Sequence, residues 1–413
     1  MLSNSIKNCR LCNGNKLEKI LKLVPTPAGN NFLTEKEKSD LEPKFPLELF
    51  FCKDCSHIQL GELVDPSHLF KNYHFVSGTS KVNIDHFENY AEEIISKFNL
   101  KKGSFILDIG SNDGTCLKAF KSRGMKVLGV DPADNIAEIA NGNGIETICD
   151  FFNINLSKKI KKKYGTPDLI TSHNVLAHVD DFSGVMKSIS NLMSNETIFV
   201  FEVGYFKEVF KNLWFDTIYH EHLDYHTVKP LKLFFEKLNM TLFDVEEKDI
   251  QGGSIRNYVQ LANSKNKIES SVDKLISEES LVGLHNVEKL KIFQSRIERV
   301  KQELYKTLLS IKKSKKNIVG YGAPTKSTTL LNFFEIDSSY IDYIVDDNPL
   351  KQEKYSPLLH IPIRSSETLF SNPHPDYIII LAWNFADSII EKIKSKNFNG
   401  KYIIPLPNVI IKD

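Results

Sequence analysis

Ser104-Phe-Ile-Leu-Asp108-Ile-Gly110-Ser-Asn112-Asp-Gly114 is the stretch on which the fold turns. Its first five residues read as a short buried strand ending on an acid. A glycine-bearing turn follows, residues 115–122 carry a helical pattern, and Val127-Leu-Gly-Val-Asp131 is a second apolar run closed by an acid. Strand, turn, helix and strand in that order open a Rossmann-like α/β sheet. Gly110 sits at the strand-to-helix turn, where main chain must approach a ligand closely. Residues 81–98 read as a preceding helix. Asp168-Leu-Ile-Thr-Ser and Thr197-Ile-Phe-Val-Phe201-Glu202 read as later strands. His173-Asn174-Val175-Leu176-Ala177-His178 then falls at the carboxyl edge of the sheet, where such folds bind ligands.

The turn is not the GxGxxG of a dinucleotide site. An acid two residues before the first glycine disfavours a pyrophosphate and suits a ligand with a cationic amino-acid end. Asp131, roughly 20 residues on, is placed for ribose hydroxyls. Together these point to S-adenosylmethionine (SAM). Its expected neighbours are Asp108, Gly110, Asn112, Gly114 and Asp131, with Asp150, Phe151 and Asn174 from the next two turns.

Upstream, Cys9-Arg-Leu-Cys12 and Cys52-Lys-Asp-Cys55 are two CxxC knuckles. Each aims two sulfurs at one centre, and two of them supply the four thiolates of a tetrahedral zinc site. A redox CxxC is the rival reading, but needs only one such pair. With no position left for water, the zinc reads as structural. Residues 25–46 look like an insertion between the knuckles, leading into the strand-like Leu47-Glu-Leu-Phe-Phe51. Cys116 and Cys149 read as buried thiols.

At 413 residues the chain has room for two or three domains. A formal net charge of +1 excludes a strong field for nucleic acid or membrane. The lysine-rich runs at 158–163 and 312–316 read as solvated helix faces. The N-terminus lacks a signal-like apolar core and no run approaches membrane-spanning length, so a soluble, cytoplasmic protein is expected. Six cysteines in such a chain are not a disulfide framework.

Tyr219-His220-Glu221-His222-Leu-Asp224-Tyr225-His226 concentrates three histidines, two carboxylates and two tyrosines in eight residues. An HExxH zinc site fails on spacing, because Asp224 stands four after His220. Acid–base chemistry remains, against the plainer alternative of a polar helix start. Further on, residues 265–309 read as long connecting helices. Asn317-Ile-Val-Gly320-Tyr-Gly322-Ala-Pro opens a second nucleotide-fold-like unit, with Thr325 and Lys326 where a third glycine would stand.

The paired knuckles, Asp108-Ile-Gly-Ser-Asn-Asp-Gly114, His173-Asn-Val-Leu-Ala-His178, Tyr219-His-Glu-His222 and Gln251-Gly-Gly-Ser254-Ile-Arg256 occur together in this order. In this the chain resembles the SAM-dependent nucleotide-sugar C-methyltransferases of deoxysugar biosynthesis. Gln251 stands where that family often has His, and Phe75 where a second tyrosine is common. The resemblance implies methylation at C3 of a nucleotide-linked 4-keto sugar through an enolate. It places a zinc-binding domain at 1–75, the SAM-binding domain at 76–262, and a connector with a Rossmann-like domain at 263–413. It implies Tyr219, Glu221 and His222 as the proton-handling group, with Tyr73 and His178 facing the same pocket. His222 is the expected general base, oriented by Glu221 or Tyr219. Ser254, Arg256, Lys326, Asn348, Trp383 and Asn384 are the expected contacts to the nucleotide sugar. The expected assembly is a monomer or weak homo-oligomer. N- or O-methyl transfer, an NAD-dependent oxidoreductase, and a binding protein with inert nucleotide folds remain the competing classes.

Overall fold

The computed structural model describes residues 2–65, 69, 76–371 and 373–413. Strands β1 (Ser3–Ser5), β2 (Leu17–Thr26), β3 (Phe45–Cys52), β4 (Ile58–Leu60) and β5 (Glu62–Val64) form the N-terminal unit. β2, β3 and β4 pair antiparallel. Leu47, Leu49 and Phe51 alternate onto the buried face of β3, the period of a half-covered sheet.

The central unit carries β6 (Phe105–Ile109), β7 (Lys126–Asp131), β8 (Thr147–Cys149), β9 (Leu169–His173), β10 (Ile198–Gly204), β11 (Asp224–Tyr225), β12 (Met240–Lys248) and β13 (Ser254–Leu261). Seven of these make one sheet in the order β12-β13-β10-β9-β6-β7-β8, and β13 alone runs against its neighbours. The chain steps from β6 outward to β8, then crosses to β9. The crevice at the carboxyl ends of β6 and β9 is therefore the switch point of the sheet. β11 leaves this unit and pairs with β4, completing the N-terminal sheet.

Helices Ser270–Val282 and Val287–Lys313 follow. The first buries Val272 and Leu275 against the central sheet. The second buries Leu290, Phe293, Ile297, Val300, Leu304, Leu308 and Ile311 at helical spacing. Its core is continuous with that of the N-terminal sheet and of the last unit. There β14 (Ile318–Tyr321), β15 (Ile344–Asp346), β16 (Ile363–Ser365), β17 (Tyr377–Ile380), β18 (Lys401–Ile404) and β19 (Ile410–Lys412) form a second sheet, ordered β16-β15-β14-β17-β18-β19. Its switch point lies between β14 and β17. Among the described residues no helix is long and apolar enough to cross a membrane.

The segment 219–226 is not a helix start. It is turns followed by the two-residue β11, held by Leu223 N–H on the Ala177 carbonyl at 2.7 Å and by Leu60 N–H on the Leu223 carbonyl at 2.9 Å. The motif is thereby pinned between the N-terminal sheet and the loop that leaves β9.

Candidate active site

The zinc ligands converge as the knuckle spacing requires. Cys9, Cys12, Cys52 and Cys55 bring their sulfurs within 4.8 Å of one another. Cys9–Cys55 and Cys12–Cys52 are each 3.5 Å apart. Zinc–sulfur bonds of about 2.3 Å in a tetrahedron need sulfurs only slightly further apart. N–H groups of Cys12 and Gly14 point at the sulfurs of Cys9 and Cys12. The donor set fits one structural zinc. Elemental analysis of the purified protein is expected to give one zinc per chain, and Cys9→Ser should lose metal and solubility together. Soluble, metal-free protein with full activity would refute this role.

The residues expected to cradle SAM lie at the carboxyl ends of β6 and β7. Gly110 has φ +72°, and a Cβ there would sit 2.2 Å from Val175 Cγ2, so only glycine lets the turn pass under the loop after β9. Asp131 accepts from Asn112 N–H at 2.9 Å and Ala133 N–H at 3.0 Å. Segment 76–80 clasps the turn: Ser77 N–H donates to Asn112 Oδ1 and Gly78 N–H to Asp113 Oδ2. Asp108 is buried with Oδ1 unpartnered, and the Ser111 hydroxyl is likewise unpartnered. Burial, and then the neighbouring Asp131, raise the Asp108 carboxyl well above its ordinary range. A cationic group placed there would relieve both the repulsion and the missing bond, so the residues fit SAM. Phe151 is 69% exposed beyond β8, leaving a ring face open, while the Asp150 carboxylate accepts from Phe151 N–H at 2.8 Å. Asn174 (φ +55°) ties β9 to β10 through its N–H on the Glu202 carbonyl at 2.9 Å. Asp131→Ala is expected to weaken SAM binding roughly tenfold to a hundredfold, the loss of about 1.5–3 kcal/mol from a hydrogen bond to a charged group. Unchanged affinity by calorimetry would remove Asp131 from the site.

Of the residues expected to handle protons, Tyr219, His222 and His178 pack together, while the Glu221 carboxyl contacts Asn30. His222 Nδ1 donates to the Thr217 carbonyl at 2.9 Å, which makes Nε2 the acceptor for the Tyr219 hydroxyl, also at 2.9 Å. His178 sets its ring edge-on to His222 with centroids 4.7 Å apart. All three are partly exposed. Burial lowers His222 to about 4, and burial with His222 nearby lowers His178 to about 3, so both rings are neutral at pH 7. Glu221 behaves oppositely. Burial lifts it to about 7, against the pull of Asn30, whose amide donates to Oε1 at 3.0 Å. Among the described residues its second oxygen makes no hydrogen bond. The expected orienting contact from Glu221 to His222 is therefore replaced by the Thr217 carbonyl. His220 and His226 stand apart from this group. His220 Nε2 reaches the Phe45 and Pro46 carbonyls at 3.3 and 3.2 Å. His226 is buried beside His57. Tyr73 lies outside the described residues.

The C-terminal unit adds a second cluster. Trp383, just past β17, stacks on Trp214 with centroids 4.9 Å apart and donates Nε1–H to Asp216 at 2.6 Å. Lys326 lies 3.5 Å from the Trp383 ring centroid and donates to Asn384 Oδ1 at 2.7 Å. Burial lowers Lys326 to about 8, opposed by Asp216, and raises Asp216 to about 6, opposed by Lys326 and Trp383. Trp214, Asp216 and Asn30 carried no spacing signal in the sequence, because they meet their partners only through tertiary contact.

Three expected contacts have partners within the protein. Arg256 is 2% exposed and its guanidinium is committed to Glu202 Oε1 at 2.6 Å and Glu93 Oε2 at 2.5 Å. It braces the sheet rather than facing an open pocket. Ser254 is buried and its hydroxyl closes the preceding turn on the Ile250 carbonyl. Asn348 turns its side chain onto Leu350 N–H at 2.9 Å, within its own loop. Cys149 is exposed, not buried.

Comparison with known proteins agrees with this architecture. Residues 9–70 match a zinc binding domain, 84–245 a methyltransferase domain, and 249–407 the C-methyltransferase C-terminal domain. The chain is 32% identical over 403 residues to the C-methyltransferase NovU of Streptomyces niveus, covering 97% of this chain and 96% of that one. Among solved structures, an S-adenosylmethionine-dependent methyltransferase from Clostridium acetobutylicum ATCC 824 is similar at 14% identity. It covers 44% of this chain and 92% of its own, with a TM-score of 0.36. The plantazolicin methyltransferase BpumL, solved with SAH, is similar at 14% identity and TM-score 0.35, covering 44% and 86%. Zinc unit, SAM-binding core and dedicated C-terminal domain are thus matched from end to end by one relative, and the chain belongs to the C-methyltransferase family.

Proposed function

We propose that this SAM-dependent methyltransferase methylates C3 of a nucleotide-linked 4-keto-deoxysugar, in the cytoplasm, through an enolate. The observation that carries the reading is the Glu221 carboxyl lifted to about 7, whose second oxygen makes no hydrogen bond among the described residues, on the same turn as the hydrogen-bonded Tyr219–His222 pair. A C–H beside a ketone becomes acidic only if a base is matched to the working pH and the enolate oxygen is stabilised. Glu221 at about 7 meets the first requirement better than His222 at about 4, whose two ring nitrogens are both engaged. In this reading the base passes from His222 to Glu221. The Tyr219 hydroxyl, whose single proton rests on His222 Nε2 in the free protein, turns that proton to the C4 oxygen when substrate binds. His178 walls the same space. SAM, when bound, supplies the electrophilic methyl that the C3 carbanion accepts. Lys326 and Asn384 offer a cation and an amide to the nucleotide diphosphate, with Trp383 packed between Lys326 and Trp214 as their support.

Incubation with a panel of nucleotide 4-keto sugars and SAM tests the substrate class by mass spectrometry. A gain of one methyl, with tritium released from C3, is the expected result. A methylated product that retains the C3 label would mean N- or O-methyl transfer and would overturn the carbanion route.

A further inference from the structure

We propose that Asn30, on the loop of the zinc-bearing unit, is a positioning residue that holds Glu221 in its ionised form, and that Thr325 of the C-terminal unit sets the orientation of Asn30. The proposal rests on the reading of Glu221 as base and adds the device that keeps it available.

A carboxylate only accepts hydrogen bonds, so the Asn30 amide must present its NH2 group to Glu221 Oε1, at 3.0 Å. Its carbonyl oxygen then faces Thr325 Oγ1 at 2.7 Å, and the threonine must donate. The result is a one-way chain, Thr325 to Asn30 to Glu221, whose last bond favours the charged carboxylate. Asn30 is the one partner described for that carboxyl. The loop has little freedom to drift. Thr328 Oγ1 donates to the Gly29 carbonyl at 2.8 Å, and a Cβ on Gly29 would lie 2.6 Å from Thr325 Cγ2. Lys351 Nζ sits 5.1 Å from the Phe32 ring centroid on the same loop. Helix Thr325–Phe334 starts at the switch point of the second sheet, where a nucleotide would bind in related folds. Here Thr325 and Thr328 on its first turns also hold the zinc unit's loop. Without Asn30, burial acts on Glu221 unopposed, and the carboxyl protonates at higher pH.

The test is a pH titration of the full chain carrying [δ-13C]glutamate, followed by NMR, with the Glu221 signal assigned by Glu221→Gln. Asn30→Ala is expected to move that titration upward by about one to two pH units, the equivalent of one hydrogen bond to an ionised group. Thr325→Val should move it the same way by less, and Thr325→Ser should restore the wild-type curve. In methyl transfer, the acid limb of kcat should follow. Turnover of Asn30→Ala at pH 7 should fall roughly five- to fifty-fold and recover at higher pH, with KM for SAM unchanged. An unmoved Glu221 titration in Asn30→Ala, or a loss of turnover that is the same at every pH, overturns the proposal. If the titration moves as expected but Glu221→Gln retains wild-type turnover, the hold of Asn30 on Glu221 stands. What falls then is the reading of Glu221 as base.

Discussion

Glu221→Gln is expected to abolish exchange of the substrate's C3 proton with solvent and to cut turnover by roughly 10²–10⁴-fold, the usual worth of a positioned general base. SAM affinity should hold, because the cradle residues Asp108 and Asp131 lie on other strands. Wild-type activity should rise with pH through about 7, as the Glu221 carboxyl ionises, and the variant should lose that limb. Tyr219→Phe should also be slow, by roughly 10²–10³-fold for a lost oxyanion donor, and His222→Gln should be slowed through loss of its hold on that hydroxyl, yet both should keep the limb near 7. The decisive measurement is deuterium uptake at C3 with a SAM analogue that cannot donate its methyl. Exchange at the wild-type rate in Glu221→Gln, together with its loss in His222→Gln, would return the role of base to His222.

Arg256→Ala should produce a large loss of stability. Glu202 is 1% exposed and receives Arg256 on one oxygen and His86 on the other at 2.7 Å, with His173 Nδ1 at 3.2 Å. Burial raises this carboxyl, but the two histidines and Arg256 more than offset it and hold it well below its ordinary range. Removing the guanidinium strands a buried carboxylate, which costs about 3–5 kcal/mol. The pH dependence has a definite sign. A depressed carboxyl stabilises the fold above its ordinary range, and that stability is lost as pH falls through the lowered folded value. The gap between wild type and Arg256→Ala should therefore be widest near neutrality and close in acid, as read by urea unfolding. If Arg256 were a substrate contact, the variant would keep its stability and raise only KM.

Much of the fold was legible from local pattern. The β6 turn, its following helix and the acid ending β7 were readable because a glycine at φ +72° and a buried acid leave few alternatives. The zinc site was readable because CxxC fixes sulfur geometry within four residues. The division of labour in Tyr219-His-Glu-His222 was not. Ordinary pKa values favour histidine as base, and only burial, a tertiary quantity, lowers His222 and lifts Glu221 past it. Arg256 had a signal that the family motif obscured. It stands inside strand Ser254–Leu261, which is buried along nearly its whole length and flanked on both sides, where a guanidinium must be paired within the protein. Asn30 had none, since its partners are far away in sequence.

The pairing of β11 with β4 bears on how such enzymes exchange parts. The bonds that join the two units there are between main-chain groups, and main chain is blind to side-chain identity. Recognition at the seam comes instead from Asp224, which meets Arg10 Nε at 2.9 Å and His57 Nε2 at 2.8 Å. A metal-bearing module transplanted from another member must therefore bring an arginine and a histidine at these two positions, besides the asparagine that meets Glu221. Modules without them would leave Asp224 charged and alone in the interior. Asp224, Arg10 and His57 are thus one set of contacts that any exchanged module would have to reproduce.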